Sequence, residues 1–213
     1  MPHPPDKISL HANKLTKNFN RQSIFKNVSF DFAFGDSIAI TGRNGSGKST
    51  LIKIIANVLN PTSGTLDIKD DNAVVKKDDY YKYTGFVSPY LNLYDEFTGY
   101  ENLEITSRIR GDSAENINDV LQQVGLYERK NDLLRIYSSG MKQRLKLAFA
   151  VLHKPVILLL DEPTSNLDKD GITIVTEIAQ AQKEKGILII ATNDEYEKSL
   201  CTKEININSL AGE

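Results

Sequence analysis

The chain has 213 residues and a formal net charge of −2, with 40% hydrophobic and 25% charged residues. This composition is typical of a soluble globular domain and gives no electrostatic basis for nucleic-acid binding, which usually needs a strongly basic patch. The longest apolar run, LAFAVL at 147–152, is too short to cross a bilayer, and the start MPHPPDKISL lacks the pattern of a signal peptide. Because Cys201 is the single cysteine, we expect a cytoplasmic protein that reaches a membrane only through a partner.

The first third of the chain reads mainly as strands. Apolar and polar residues alternate in 8–15 and 23–35, which predicts antiparallel strands. A compact apolar strand follows at 36–42 and runs into a glycine-rich loop. The apolar spacing of 49–59 predicts a helix, and 63–75 returns to strand-like alternation.

The rest of the chain changes character twice. The stretch 95–153 has helical periodicity, in three segments that end with a helix at 140–152. Strand and helix then alternate, with all-apolar strands at 156–161 and 187–192 around a helix at 171–185. All-apolar strands separated by helices predict a parallel sheet covered on both faces, and therefore an α/β fold.

The loop GRNGSGKST at 42–50 matches the pattern G-x-x-x-x-G-K-[ST] between a predicted strand and a predicted helix. In such a loop the backbone N–H groups surround phosphate oxygens, the lysine reaches the β- and γ-phosphates, and the hydroxyl binds Mg²⁺. The alternative is a glycine-rich turn with a chance lysine, which the full spacing and the context disfavour. The predicted residues for binding a nucleoside triphosphate here are Gly42, Asn44, Gly45, Ser46, Gly47, Lys48, Ser49 and Thr50.

The second apolar strand ends on two carboxylates, Asp161 and Glu162, in VILLLDEPTSNLD. Together with the loop they predict hydrolysis of the bound nucleotide. Asp161 is the predicted second Mg²⁺ ligand beside Ser49, and Glu162 is the predicted group that polarises the attacking water. By themselves these carboxylates would also be compatible with a solvated acidic turn.

The segment YSSGMKQRLKLAFAVLHKP at 137–155 lies just before the acidic strand. With it, essentially the whole chain resembles the ATP-binding-cassette (ABC) ATPases, whose Ser/Gly signature, usually L-S-G-G-Q, opens a helix. The resemblance implies a P-loop NTPase (RecA-like) core with an N-terminal antiparallel β subdomain and an inserted α-helical subdomain. The implied single nucleotide-binding domain covers 1–213, with 7–88 and 154–213 as the core and β subdomain and 89–153 as the helical subdomain.

The resemblance also implies partners and further nucleotide contacts. Two copies, or one copy and a homologous subunit, would bind two ATP molecules head to tail, and a transmembrane transporter subunit would dock on 89–98 at the inner face of the membrane. The side chain of Phe19 would stack on adenine, although a core aromatic is an almost equal alternative. The residues implied to contact the nucleotide of the second subunit are Ser138, Ser139, Gly140, Met141 and, in the D-loop, Asp168; helix capping and an ordinary turn are their alternatives.

The sequence departs from the family pattern at two positions. Counting back from Thr98 places Pro89 where most members have a glutamine that helps to bind Mg²⁺. Asn193 stands where members commonly have a histidine that binds the γ-phosphate. An amide can still donate a hydrogen bond, but it cannot become charged. We predict slow but real ATP hydrolysis: real because Lys48, Asp161 and Glu162 are all present, and slow because of Asn193 and the missing glutamine. The predicted catalytic residues are Glu162, Lys48 and Asn193.

Three functions remain compatible with these features. The first is the ATPase subunit of a membrane transporter, with the short length and the YSSGMKQR variant resembling exporter subunits, including the haem-exporter type. The second is an ATP-gated scaffold with little turnover, which the departures at Pro89 and Asn193 motivate. The third is a soluble ABC ATPase of iron–sulfur assembly.

Overall fold

A computed structural model describes residues 7–20, 22–111 and 113–210 of the chain. Residues 1–6 and 211–213, at the ends of the predicted domain, lie outside the described residues. The strands are β1 Ile8–Phe19, β2 Gln22–Ala33, β3 Ser37–Thr41, β4 Ser63–Asp70, β5 Ala73–Val74, β6 Thr84–Val87, β7 Ile157–Asp161, β8 Ile187–Ala191 and β9 Lys203–Asn206. The α-helices are α1 Lys48–Ile55, α2 Tyr80–Tyr83, α3 Gly99–Arg110, α4 Ile117–Gln123, α5 Ser139–Val151, α6 Lys169–Lys183, α7 Glu195–Ser199 and α8 Ile207–Leu210. Short 3₁₀ helices cover Lys77–Asp79, Ala114–Asn116, Tyr127–Arg129 and Leu134–Ile136.

The central sheet is parallel, with strand order β6-β7-β8-β3-β9. Its three middle strands are buried along their whole length, because helices or the second sheet cover both faces. The predicted α/β architecture is confirmed. The carboxyl ends of β3, β7 and β8 lie side by side, so the segments that follow these strands meet at one edge of the sheet.

A second sheet, with strand order β2-β1-β4-β5, is antiparallel throughout. The alternating apolar residues of its strands point to one face, as the sequence predicts. Phe25, Val28 and Phe30 of β2 are buried on that face, while the residues between them, Lys26, Asn27 and Ser29, are exposed.

Two hydrophobic cores lie on opposite faces of the parallel sheet. Ile157 and Leu159 of β7 pack in the core shared with the antiparallel sheet and α1. Leu158 and Leu160 of the same strand pack in the core shared with helices α3 to α6. The two-residue period of a strand thus explains why β7 is apolar at each position from Ile157 to Leu160, ahead of the buried Asp161.

The helices α3, α4 and α5 are inserted between β6 and β7. Thr98 opens α3 with a capping box, in which its hydroxyl accepts from the Glu101 amide and the Glu101 carboxylate accepts from the Thr98 amide. Gly111, with φ at 74°, ends the same helix in the left-handed conformation. No helix of the described residues is long and apolar enough to span a bilayer.

Several predicted boundaries are wrong in detail. The helix predicted for 49–59 ends at Ile55, because Asn57 adopts a left-handed conformation with φ at 57°. The strand predicted for 63–75 is split into β4 and β5 by a turn at Asp71, which has φ at 59°. Sequence reasoning does not find β9, which is a short strand at the sheet edge with mostly exposed side chains.

Candidate nucleotide-binding site

The loop between β3 and α1 follows the carboxyl end of a buried strand. Its glycines make its path possible: Gly42, Gly45 and Gly47 have φ values of 144°, 81° and 103°. A Cβ atom at Gly47 would overlap the Ile24 side chain of β2 and lie 3.3 Å from the Phe25 ring, so a side chain there forces these groups to move in addition to straining its backbone angle. The first turn of α1 follows at once, and its free N–H groups favour an anion at this end of the helix.

Lys48 lies inside this loop and is only 5% exposed. Its Nζ donates to the backbone oxygens of Gly42 at 2.9 Å and Arg43 at 3.3 Å. Burial lowers the pKa of Lys48, and the nearby carboxylates of Glu162 and Asp161 act in the opposite direction. The ammonium group is thus positioned at the centre of the loop, where a phosphate would need a cation.

Asp161 and Ser49 meet beside the loop, as the sequence predicts for a metal site. The Ser49 hydroxyl donates to Asp161 Oδ1 at 3.0 Å. Asp161 is 1% exposed, and its Oδ2 has no hydrogen-bond partner among the described residues. Burial raises the pKa of Asp161, against the lowering effect of the Ser49 hydrogen bond. A buried carboxylate oxygen without a partner needs a compensating cation or donor, so these two residues fit a Mg²⁺ ion.

Glu162 follows β7 directly, in a left-handed conformation with φ at 49°. Its backbone N–H donates to Ala191 O at 3.0 Å, which attaches it to the end of β8. Its side chain faces a cleft of about 290 Å³ on the phosphate loop. The residues that line the cleft are Ile24, Asn44, Gly45, Gly47, Lys48, Ser49, Thr50 and Glu162. Ile24 is the residue of this set that sequence reasoning missed, since nothing marks it within an alternating strand.

Asn193 follows β8 and reaches the same loop. Its Nδ2 donates to Asn44 Oδ1 at 2.5 Å, and both side chains belong to exposed residues. Thr192 before it is buried, with its N–H donating to Ile40 O at 3.0 Å. The amide of Asn193 is therefore held against the phosphate loop from the neighbouring strand.

The signature residues lie at the start of α5. Ser138 caps this helix by accepting from the Met141 amide at 3.2 Å, and Ser139 is exposed. Gly140 packs closely against the turn that precedes Asp168, since a Cβ atom at Gly140 would lie 3.3 Å from Asn166 O. None of the signature residues lines the phosphate cleft of the same chain, as far as the described residues go.

Asp168 begins the helix that follows the acidic strand. Its Oδ1 accepts from the Gly171 amide at 2.9 Å, which makes it the N-cap of α6. This carboxylate therefore has a structural partner in the chain itself, while the residue as a whole stays exposed.

Phe19 ends β1 and is 46% exposed, with Lys17 Nζ at 4.7 Å from the ring centre. It is thus not part of the hydrophobic core, unlike Phe25, Phe30 and Phe32. The alternative that Phe19 is a core aromatic is wrong.

The segment 89–98 presents aromatic rings to solvent. Tyr90, Tyr94 and Phe97 are 76%, 57% and 36% exposed, and the rings of Tyr94 and Phe97 are 5.5 Å apart. The backbone beneath them is fixed, because buried Asn102 accepts from the Tyr94 N–H and donates to the Tyr94 oxygen. These rings form a firmly held exposed patch, which is unusual for large apolar groups without a partner.

A buried carboxylate behind the site was not predicted. Glu197, 2% exposed in α7, accepts from both the N–H and the hydroxyl of Thr164, at 2.7 and 2.5 Å. It joins the segment after Asn193 to the segment after Glu162. The short polar stretch around Glu197 gives no sequence signal for burial.

Comparison with known proteins places the chain in a family. The family described as "ABC transporter" matches residues 25–165. An uncharacterized ABC transporter ATP-binding protein, YybJ of Bacillus subtilis, is 34% identical over 197 residues, which are 91% of this chain and 90% of that protein. The bacitracin transport ATP-binding protein BcrA of Enterococcus faecalis is 32% identical over 86% of this chain, and the match spans only 60% of BcrA.

A solved structure gives the same result for the fold. The ATP-binding cassette MJ0796, solved as a dimer in a post-hydrolysis state with ADP and Pi, superposes with a TM-score of 0.81 and is 26% identical. The alignment covers 93% of this chain and 94% of the cassette. The motifs, the fold and these matches lead to one conclusion: the chain belongs to the ABC transporter family, as an ATP-binding subunit with the ABC ATPase fold.

Proposed function

We propose that the chain binds ATP with Mg²⁺ on the loop at 42–50 and hydrolyses it as the ATPase subunit of a membrane transporter. The observation that carries this proposal is the pairing of Ser49 with the buried Asp161, whose second oxygen lacks a partner among the described residues, beside the phosphate loop. Mg²⁺ would be held by Ser49 and Asp161, and it would offset the charge of the phosphates.

The other residues of the cleft have complementary roles in this proposal. Backbone N–H groups of the loop and the Lys48 ammonium bind the phosphates, because the loop residues and Lys48 line one cleft. Glu162 orients and polarises the attacking water. The Asn193 side-chain amide, which donates to Asn44 Oδ1 in the structure, donates to an oxygen of the γ-phosphate instead when ATP is bound. The half-exposed ring of Phe19 stacks on adenine.

A second subunit completes the site. Ser138, Ser139, Gly140 and Met141 lie outside the cleft of their own chain, and their helix N-terminus favours a phosphate supplied by another copy. Asp168 would lie along the same interface. The dimeric state of the MJ0796 cassette supports the pairing of two copies, and in this proposal the two copies pair head to tail.

The exposed rings of 89–98 are the proposed contact with a transmembrane subunit, which would hold the chain at the cytoplasmic face of the membrane. Aromatic residues are enriched at protein interfaces, and these rings lie on a fixed backbone. The helices of 89–153 would then move as one subdomain against the core formed by 7–88 and 154–213.

Phosphate release by the purified protein tests the ATPase proposal. We expect measurable turnover with Mg-ATP that falls at least about a hundredfold in the Glu162→Gln variant, since general-base catalysis contributes about 10²–10⁴-fold. Turnover no higher than that of Glu162→Gln, with and without the co-purified membrane protein, would refute it.

A scaffold that dimerises on ATP with little turnover is the second candidate. It is favoured by Pro89, which has no side-chain metal ligand, and by Asn193 in place of a group that can become charged. Light scattering with ATP and with ADP separates the two functions. Stable dimers in ATP without phosphate release support the scaffold, whereas dimers that dissociate as phosphate appears support the ATPase.

The role of Asn193 has its own test. If its amide binds the γ-phosphate, Asn193→Ala lowers turnover by about tenfold, the value of one hydrogen bond to a charged group. Unchanged turnover in Asn193→Ala, combined with faster turnover in Asn193→His, would instead identify Asn193 as the remnant of a lost histidine.

A further inference from the structure

A second cavity, of about 460 Å³, lies outside the nucleotide cleft. Its walls are α4, α6 and the segment 151–156, which connects the signature helix α5 to the acidic strand β7. Among the described residues it shares no lining residue with the nucleotide cleft. Its size lies in the range of pockets that bind small organic molecules, about 300–1,000 Å³.

The interior of this cavity is apolar. Val120 of α4, Val151 at the end of α5, and Ile178 and Ala181 of α6 line it, and Ile178 is 3% exposed. Apolar surface of this kind gains free energy when an apolar group replaces water. The body of a ligand here must therefore be hydrocarbon or aromatic.

The rim of the cavity is charged, with an excess of positive charge. Lys154 and Lys185 line it, and neither ammonium group takes part in an ion pair within the described part of the chain. Asp119 is the single carboxylate among the lining residues. Two unpaired lysines over an apolar interior are complementary to an anionic group on an apolar body.

We propose that this cavity binds a small amphipathic organic anion, with its apolar body on the α4–α6 floor and its acidic group between Lys154 and Lys185. Such a ligand would contact the inserted helices through α4 and the core through α6 and 154–156. The proposal does not depend on ATP hydrolysis, because it uses none of the residues of the nucleotide cleft.

The fluorescent probe 8-anilino-1-naphthalenesulfonate tests the apolar interior, since it combines an aromatic body with one sulfonate. We expect saturable binding of one probe per chain, with the full-length protein as the sample. Ala181→Phe fills the floor and should remove this saturable site. The proposal is overturned if no saturable site exists, or if the site persists unchanged in Ala181→Phe with a wild-type thermal melt.

Charge variants on the rim test the sign of the ligand's charge and leave the apolar interior intact. The double variant Lys154→Gln/Lys185→Gln should weaken probe binding by roughly three- to twentyfold, the value of two partly exposed ion pairs. Asp119→Asn should strengthen it, and added salt should weaken it. Lys169→Gln, at the exposed start of α6 and outside the cavity, is the matched control and should leave binding unchanged.

The opposite signs would overturn the proposal. Tighter binding of the probe by the double lysine variant, or weaker binding by Asp119→Asn, would show that the rim does not select an anion. Equal losses in Lys169→Gln and in the double variant would show that overall charge, and not the cavity, attracts the probe.

Discussion

Glu197 is the residue whose replacement gives the sharpest test of how the site is held together. Its carboxylate is 2% exposed and accepts two hydrogen bonds from Thr164, at 2.7 Å from the backbone nitrogen and 2.5 Å from the hydroxyl. Thr164 lies two positions after Glu162, and α7, which carries Glu197, begins two positions after Asn193. One side chain thus joins the two segments that carry the proposed catalytic groups.

The loss of folding stability in Glu197→Ala can be worked out from these contacts. A hydrogen bond to a charged group contributes about 1.5–3 kcal/mol, so the two bonds together contribute about 3–6 kcal/mol. Both bonds end on Oε1, and Oε2 is buried without a hydrogen-bond partner among the described residues, so deleting the carboxylate also removes a desolvation cost that offsets part of this loss. We expect the free energy of unfolding to fall by about 2–4 kcal/mol, which lowers Tm by about 4–16 °C in a domain of this size.

Urea denaturation with fixed m-values measures this change. Glu195→Ala is the matched control in the same helix, because the Glu195 side chain is 88% exposed, and it should change stability by less than about 0.5 kcal/mol. Glu197→Gln keeps one acceptor oxygen for Thr164 and should fall between the two. If Glu197→Ala is as stable as Glu195→Ala, the bonds to Thr164 contribute nothing, and the reasoning is wrong.

Three further predictions concern the loop, the thiol and the docking segment. Gly47→Ala should abolish binding of a fluorescent ATP analogue. Gly45→Ala, with φ at 81° and no atom within 4 Å of its Cβ, should weaken that binding only through about 1–2 kcal/mol of backbone strain. Equal losses of binding in the two variants would refute the steric explanation. Burial raises the pKa of Cys201 from 9.0 to about 12. At pH 8 its alkylation should therefore be about a thousandfold slower than that of a free thiol, and it should accelerate about tenfold per pH unit while the protein stays folded. Rapid labelling of Cys201 at pH 8 would contradict this. Lys146→Met removes the bond from Nζ to Pro89 O at 2.7 Å, so amide exchange around Pro89 should accelerate by about tenfold, and unchanged exchange would show that this bond does not order the segment.

The sequence predicts those parts of the fold in which successive positions all require an apolar side chain. β7 up to Leu160 and the whole of β8 are apolar because both faces of the sheet are covered, so their pattern is unambiguous. β9 lies at the edge, where one neighbour and partial exposure set no such requirement, and its sequence is therefore uninformative. The early end of α1 depends on a left-handed Asn57, which helical spacing does not reveal.

The same distinction applies to the site. The spacing of Gly42, Lys48 and Ser49 is visible because one short loop must meet one phosphate group, and the structure brings Asp161 to Ser49 as that pattern requires. Glu197 and Thr164 are far apart in sequence, and their pairing depends on how two turns meet at the sheet edge. Residues whose role is to hold other residues in place can therefore be identified only from the structure.

Pro89 shows how a departure in sequence acquires a different meaning in the structure. From the sequence, proline removes a side chain that could bind metal. In the structure its backbone oxygen, which any residue would supply, accepts from Lys146 of the signature helix α5. A second lysine of that helix, Lys142, pairs with Asp95 at 2.7 Å.

The other side of the segment is held by a third lysine. Lys53 of α1, the helix that opens at the phosphate loop, lies 4.9 Å from the centre of the Tyr90 ring. The exposed aromatic segment thus contacts both helices whose N-termini are proposed to bind phosphate, α1 and α5. In the proposed transporter, a partner that pushes on these rings would act on both helices through their lysine contacts, and this route would not need a metal-binding glutamine.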